Sequence, residues 1–458
     1  MGTRFTNRDD SRLAFWLRVR EYAVPPTMIE TATARRHAGD WVGACAAAGF
    51  DTDINPRAVA RVHGTETAAQ LRADLRHLAP DLLRWHLPRV APDGLLRPGL
   101  TIALARYGPP DLGKHCGAVY LVARTAPAWA DAGQRITLAL WDGSDTGPHP
   151  HPRPNRRFRL DLHRHLWDAR RTSELRIRSG ADKFEVLTGP YSVSENLAGK
   201  TADLPEGCAI HTWASEAEIL LRAEGRPKGL VRVRFGARRE VVAEVSDDKA
   251  LRIADPPRGT VSGLPLLPDA SVWTPPDLEL LRAGAITADR LHPLIAEALA
   301  PDRTPITTAP PDRTDRVKLV ECRGEQHRIG LSEGVLTALD HDPAEIRREE
   351  LLAALTGAPL PCLRAIDRAH RHPDCLTGVR ERLDHGDTAG ALAVVEGLLG
   401  PDAVLRDGPL RDELELAAQR RITYGLFKAG LIAAGPTRVR PDARRRDRRA
   451  HPRHATTR

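Results

Sequence analysis

The chain has 458 residues, with 68 Lys or Arg against 60 Asp or Glu and a formal charge of +8. That length suggests two to four domains and is ample for real hydrophobic cores. A hydrophobic fraction of 41% and a charged fraction of 28% exclude a collagenous, membrane-embedded or wholly disordered chain, and name no activity.

The basic residues are lopsided, 61 Arg against seven Lys. Arg, Ala, Gly and Pro share GC-rich codons, so a high-GC bacterial source accounts for part of that excess. The six cysteines are sparse and none forms C-x-x-C, which predicts reduced, buried thiols. Residues 1–10 carry charges where a secretory signal needs an apolar core. The myristoylation-like pattern from Gly2 to Thr6 is a coincidence of short motifs in a bacterial chain. No apolar run approaches the ~18 residues of a spanning helix. The expectation is a cytoplasmic protein with no membrane association.

From 11 to 92 the pattern is helical, and residues 1–98 are expected to form a helical domain. Leu13, Phe15, Trp16, Leu17 and Val19 precede a Pro25-Pro26 break that ends one helix and opens the next. Gly39 is a left-handed stop and Asp40 the cap of the following helix. One helix is predicted over 65–85, with Leu71, Leu75, Leu78, Leu82 and Leu83 on one stripe. Residues 99–268 change to short β-like runs at 101–105, 118–122 and 136–141, then a hairpin at 230–235 and 240–245. Between them lie a Pro/His/Arg loop at 147–157 and an Arg-rich helical stretch through Leu166 and Trp167. A helical hairpin is expected over 269–300 and a Pro/Thr/Asp linker over 301–315.

Residues 316–435 open on a hairpin around Arg323-Gly324-Glu325. Asp342-Pro343-Ala344-Glu345 then has the form of a capping box, and the chain reads helical to about 434. His385-Gly386-Asp387-Thr388 leads an apolar run that ends at Leu399-Gly400, and Ala429-Gly430 closes a second helix thirty residues on. This segment, 379–431, resembles a degenerate ankyrin repeat, although Leu410-Arg411-Asp412-Glu413 stands where the T-P-L-H turn belongs. With Arg20-Glu21-Tyr22-Ala23-Val24-Pro25 and Arg164-His165-Leu166-Trp167-Asp168-Ala169-Arg170, it makes the chain similar to uncharacterised ankyrin-associated proteins of high-GC, actinobacterial-type bacteria. The resemblance implies association with protein partners and no known chemistry. G-D-x-x-G-A occurs twice, at 39–44 and 386–391, as a Gly stop, an Asp cap and small residues at a helix junction.

Chemistry-bearing motifs are thin. Gly199-Lys200-Thr201 lacks the earlier glycine of a phosphate loop, and Pro205-Glu206-Gly207 follows too soon for its helix. His149, His151, His163 and His165 read as solvated histidines beside an arginine cluster that repels a cation. Cys362, His370, His372 and Cys375 suit tetrahedral zinc in donor type but not in spacing. Nucleophile-elbow, zincin and dinucleotide motifs are absent. No cofactor is expected.

Residues 436–458 hold nine Arg against two Asp, centred on Arg444, Arg445, Arg446, Arg448 and Arg449. That segment carries +7 and the other 435 residues only +1, so it reads as a disordered basic arm able to touch nucleic acid nonspecifically.

These readings converge on a multidomain α+β protein, with helical ends around a central mixed domain. Its expected function is that of a non-catalytic adaptor or scaffold for protein–protein interaction. The candidate surface is Asp387, Thr388, Arg406, Asp407 and Tyr424. Nucleic-acid association through the arm is the alternative, and an enzyme of unknown type a second one.

Overall fold

The computed structural model describes residues 6–108, 118–130, 133–144, 147–183, 204–226, 228–236, 239–245, 251–254, 261–301 and 318–431. Its architecture is α+β. The chain divides into two compact units, one of 1–129, 134–305 and 427–458, the other of 130–133 and 306–426.

In the first unit, α1 (Thr6–Tyr22), α2 (Pro26–His37) and α3 (Trp41–Ala47) follow the punctuation of the sequence. Pro26 opens α2, Gly39 sits at φ +77°, and Asp40 caps α3 by accepting from the Gly43 amide at 2.8 Å. After α4 (Pro56–His63), the single helix expected over 65–85 is two, α5 (Thr65–His77) and α6 (Pro80–His86). Pro80 has no amide to donate and its ring forbids a helical turn before it. Leu78 is therefore extended, and the Ala79 amide donates across the fold to the Trp167 carbonyl at 2.8 Å.

A four-stranded sheet runs in the order β1 (Phe50–Thr52), β6 (Ile136–Trp141), β5 (Val119–Thr125), β4 (Thr101–Tyr107). β1 pairs parallel with β6 and the other pairs are antiparallel. β4 and β5 are apolar on both faces and almost wholly buried, as central strands covered on both sides must be. A two-stranded ribbon, β2 (Arg89–Val90) with β3 (Leu95–Leu96), precedes them. The Arg-rich stretch expected to be helical is instead a series of tight turns around Leu160–Leu162 and Arg164–Leu166, leading to α7 (Glu174–Arg178). One core draws on Val19, Leu71, Leu82, Leu104, Leu121, Trp167 and Ile295 alike. The helical start, the sheet and the helices α10 (Pro276–Arg282) and α11 (Pro293–Leu299) therefore share it. Each fully buried Leu contributes on the order of 1.5–3 kcal/mol. A smaller core packs α8 (Trp213–Ala223) and α9 (Asp269–Val272) on a meander of β7 (Gly229–Arg234), β8 (Glu240–Val245) and β9 (Leu251–Ala254).

In the second unit, β10 (Lys318–Cys322), β11 (Glu325–Ser332) and β12 (Val335–Ala338) form an antiparallel meander, with its first turn at Arg323-Gly324 as expected. Five helices follow: α12 (Pro343–Thr356), α13 (Pro361–Arg371), α14 (Leu376–Asp384), α15 (Thr388–Leu399) and α16 (Pro409–Lys428). Leu376, Val379, Leu383, Ala391, Val395, Leu399 and Leu410 make one core, while Cys322, Ile329, Ala338, Cys362 and Ile366 make a second, much smaller one. Among the described residues no helix is long and apolar enough to cross a membrane.

Candidate functional site

The five residues read as an interaction surface serve mainly to hold the second unit together. Asp387 is buried, caps α15 by accepting from the Gly390 amide at 2.9 Å, and accepts from Arg382 at 2.8 Å. Thr388 is the half-buried first residue of that helix, and Tyr424 is buried. Arg406 donates to Asp367 at 2.9 Å. Asp407 remains exposed, paired with Arg411.

The unit's most exposed large apolar side chains lie elsewhere. Asp342 caps α12 through the Ala344 amide at 2.9 Å. Glu345 does not reach back to close a capping box; it accepts from Arg323 at 2.7 Å, and Arg323 also donates to Glu349 at 2.5 Å. These two carboxylates and the half-buried Ile346 fix the inner face of α12. Arg348, Leu351, Leu352 and Leu355, spaced i, i+3, i+4 and i+7, therefore point outward. Leu351 is 69% exposed and Leu355 86%, and the helix has no buried residue at all. Leu319, Leu331, Val335 and Val404 are exposed in the same unit.

The four residues that suit zinc in donor type but not in spacing do not converge. Cys362 and His370 lie near opposite ends of α13, His372 ends that helix, and Cys375 caps α14. Cys362 instead meets two residues distant in sequence, Cys322 at the end of β10 and His341 in the turn before α12. The two Sγ atoms and a ring nitrogen of His341 all lie within 4.8 Å of one another. Both thiols are fully buried, and burial, with the neighbouring Cys322 thiol second, pushes Cys362 up to about 11.

His149, His163 and His165 are buried, against the expectation of solvated histidines. His149 Nε2 lies 3.1 Å from the Thr125 carbonyl, so that nitrogen carries the proton, and burial lowers the ring to about 4. His163 Nε2 faces Ser271 Oγ at 2.7 Å and Glu216 Oε2 at 3.1 Å, while Nδ1 donates to the Arg159 carbonyl at 3.0 Å. A serine relay needs the acid on one ring nitrogen and the serine on the other. Here both meet Nε2, so the trio joins three segments and does not arm a nucleophile. Arg178 spans both oxygens of Glu216, at 2.6 Å to Oε2, and with His163 holds its carboxyl below the ordinary range against the opposing effect of burial.

His163, His165, Arg178 and Glu216 border a chamber of about 1680 Å³ in the first unit. Its lining includes Trp16, His86, Arg89 and His165, each with a buried polar atom that has no protein partner: Trp16 Nε1, His86 Nε2, Arg89 Nε and His165 Nδ1. Such atoms are where ordered water or a polar ligand is held. Among the lining arginines, Arg157 pairs with Asp269 and Arg159 with Glu224, each at 2.6 Å.

Two stretches singled out in the sequence are fastenings. In 164–170, Arg170 donates to Asp74 and to Asp168, each at 2.8 Å, and Arg164 donates to Asp168 at 2.7 Å and also to Asp74. In 20–25, Arg20 stands 3.6 Å from Asp277 and lies over the Trp85 ring. Gly199, Lys200, Thr201, Arg444, Arg445, Arg446, Arg448 and Arg449 lie outside the described residues.

No protein-family model matches the chain, and neither the curated proteins nor the solved structures give a match.

Proposed function

We propose that the chain is a cytoplasmic, non-catalytic adaptor that binds a partner protein through its second unit. The observation that carries this reading is the outward stripe Leu351, Leu352 and Leu355 on α12, in a unit that exposes further Leu and Val side chains. Contiguous apolar surface on a soluble unit is retained where something covers it. The spacing suits a partner that offers a hydrophobic groove or a second amphipathic helix, the mode in which i, i+3 and i+4 anchors carry the contact. The ankyrin-like segment supports the same class of function but supplies the scaffold of the unit more than its contact face. The test is affinity capture with the full chain and with L351E/L355E. Loss of the captured partner, with circular dichroism unchanged, is the expected result. The same partner retained at the same level overturns the assignment to α12.

A second reading, nucleic-acid association, rests on the +7 charge of 436–458. Truncation there is expected to abolish salt-sensitive retention on duplex DNA. Unchanged retention rejects the arm as its cause.

A further inference from the structure

We propose that Cys322, His341 and Cys362 form a binding site for one thiophilic divalent cation of the zinc class. Three separate segments deliver the donors: Cys322 ends a strand, His341 sits in the turn from sheet to helix, and Cys362 is in the first turn of α13. All three donor atoms lie within 4.8 Å of one another, and among the described residues no other cluster of three or more such groups occurs. Two thiolates and an imidazole are the donor set of tetrahedral zinc.

The imidazole is prepared for a ligand. His341 has a side chain only 4% exposed, and its Nε2 is buried with no hydrogen-bond partner. Its other nitrogen, Nδ1, lies 3.6 Å from Glu345 Oε2. At that separation the carboxylate is an electrostatic neighbour rather than a hydrogen-bond partner, placed on the side of the ring where the outer shell of a metal-bound histidine acts and leaving Nε2 to face a ligand. The His327 ring stacks on His341, with centroids 4.2 Å apart, and has its own buried, unpartnered Nδ1. It lies outside the set of donor atoms within 4.8 Å of one another, and its ring is parallel to that of His341, so it buttresses the ligand ring and water takes the fourth position.

Charge and packing agree with this assignment. Cation binding converts two thiols to thiolates and releases two protons, so a +2 ion and two negative sulfurs sum to zero. A neutral site is the kind that full burial tolerates. The core around it is small: Cys322, Ile329, Ala338, Cys362 and Ile366 are buried, with the partly buried Val320, Leu336, Ile346, Leu360 and Ala365 packed against them. Small cores of this kind are where structural metals add most.

The full chain, prepared under reducing conditions, is to be assayed for zinc and then titrated with cobalt(II). Expected are one equivalent of zinc and the intense visible bands of tetrahedral cobalt thiolate. C362S and H341A should lose the metal, whereas C375S and H372A should keep a full equivalent. Glu345 acts as a positioning residue, so E345Q should bind cobalt about tenfold more weakly with the same spectrum. Absence of thiolate–cobalt bands in the unaltered chain overturns the proposal, however the variants fold. So does equal metal content in C362S, or a thiol titration of the unfolded, unreduced chain showing Cys322 and Cys362 joined as a disulfide.

Discussion

Asp387 and Asp40 occupy the same local structure in two different units. Each caps a helix through the amide three residues on, at 2.9 Å to Gly390 and 2.8 Å to Gly43. Each also accepts from an arginine five residues before it, Arg382 at 2.8 Å and Arg35 at 3.2 Å. The glycine before each aspartate has a positive φ, +85° at Gly386 and +77° at Gly39. Removing such a cap costs about 0.5–2 kcal/mol. Asp387 has a 7% exposed side chain against 41% for Asp40, so D387A should cost more than D40A in urea denaturation. Equal losses would show that burial adds nothing to this cap.

The same geometry sets a second expectation. A Cβ on Gly390 would overlap the Asp387 carboxylate, whereas one on Gly397, later in the same helix, meets nothing within 4 Å. Alanine in a helix interior is favoured over glycine by about 0.5–1 kcal/mol. G397A should therefore stabilise the second unit by about that much. G390A should gain nothing or lose stability, because the carboxylate must leave its cap. A gain at both positions would remove the steric argument.

The G-D-x-x-G-A echo was legible because caps are local: stop, cap and small residue lie within six positions. The hairpin at Arg323-Gly324 was legible for the same reason, with its turn residues between two alternating runs. Pro80 was a local signal too, and the leucine stripe through 71–83 masked it because both helices bury their leucines in one core. Cys322, His341 and Cys362 were not legible, since nothing in the sequence says which strand end faces which helix start. Donor type alone pointed to Cys362, His370, His372 and Cys375, whose spacing fits no zinc motif, and α13 carries the first two to opposite ends. The Pro-rich loop before His163 and His165 points to solvent in the sequence; Arg164 is instead drawn onto Asp74 and Asp168, and the histidines on either side of it are buried.

That arginine–aspartate cluster makes a sharp prediction. Asp168 is fully buried, and Arg164 and Arg170 hold its carboxyl below the ordinary range despite burial. Tyr107 donates to the second carboxylate, Asp74, at 3.0 Å. Breaking a buried pair by removing one partner costs about 3–5 kcal/mol, because the remaining charges stay desolvated. D168N should lose that much in chemical denaturation, while R171A, on an exposed pair with Glu174, should lose under about 1 kcal/mol. Similar losses for the two variants would contradict the burial argument.

Ser271 should behave as a structural hydroxyl. Its Oγ shares His163 Nε2 with Glu216 and lies 3.0 Å from the same carboxylate. S271A is expected to cost about 1 kcal/mol, the worth of a typical hydrogen bond. An activated-serine probe such as a fluorophosphonate should leave the residue unlabelled. Stoichiometric labelling at Ser271 would show that His163 activates it and would reopen an enzymatic reading.

Stability should fall with acid well before the carboxylates titrate. Burial, the first cause in each case, lowers His86 to about 3, His149 to about 4 and His165 well below its ordinary value. For His86 the nearby His292 and Arg89 add to the effect, and for His165 so do His163 and Arg178. Below the unfolded value near 6.5 the unfolded chain takes up protons that the folded chain refuses, so acid favours unfolding. The stability is whole above pH ~6.5 and drains as the pH falls toward 4 and then 3. Each unit of depression is worth about 1.4 kcal/mol, so His86 alone accounts for roughly 3–5 kcal/mol once the pH is below both values. Glu216, whose carboxyl is also depressed in the folded state, adds its own loss only at lower pH, below the ordinary carboxylate range. Denaturation midpoints measured from pH 7 to pH 4 should therefore decline steadily, and H149Q, which keeps a neutral hydrogen-bonding side chain there, should flatten the slope. A midpoint that stays level down to pH 4.5 would mean that these rings reach solvent.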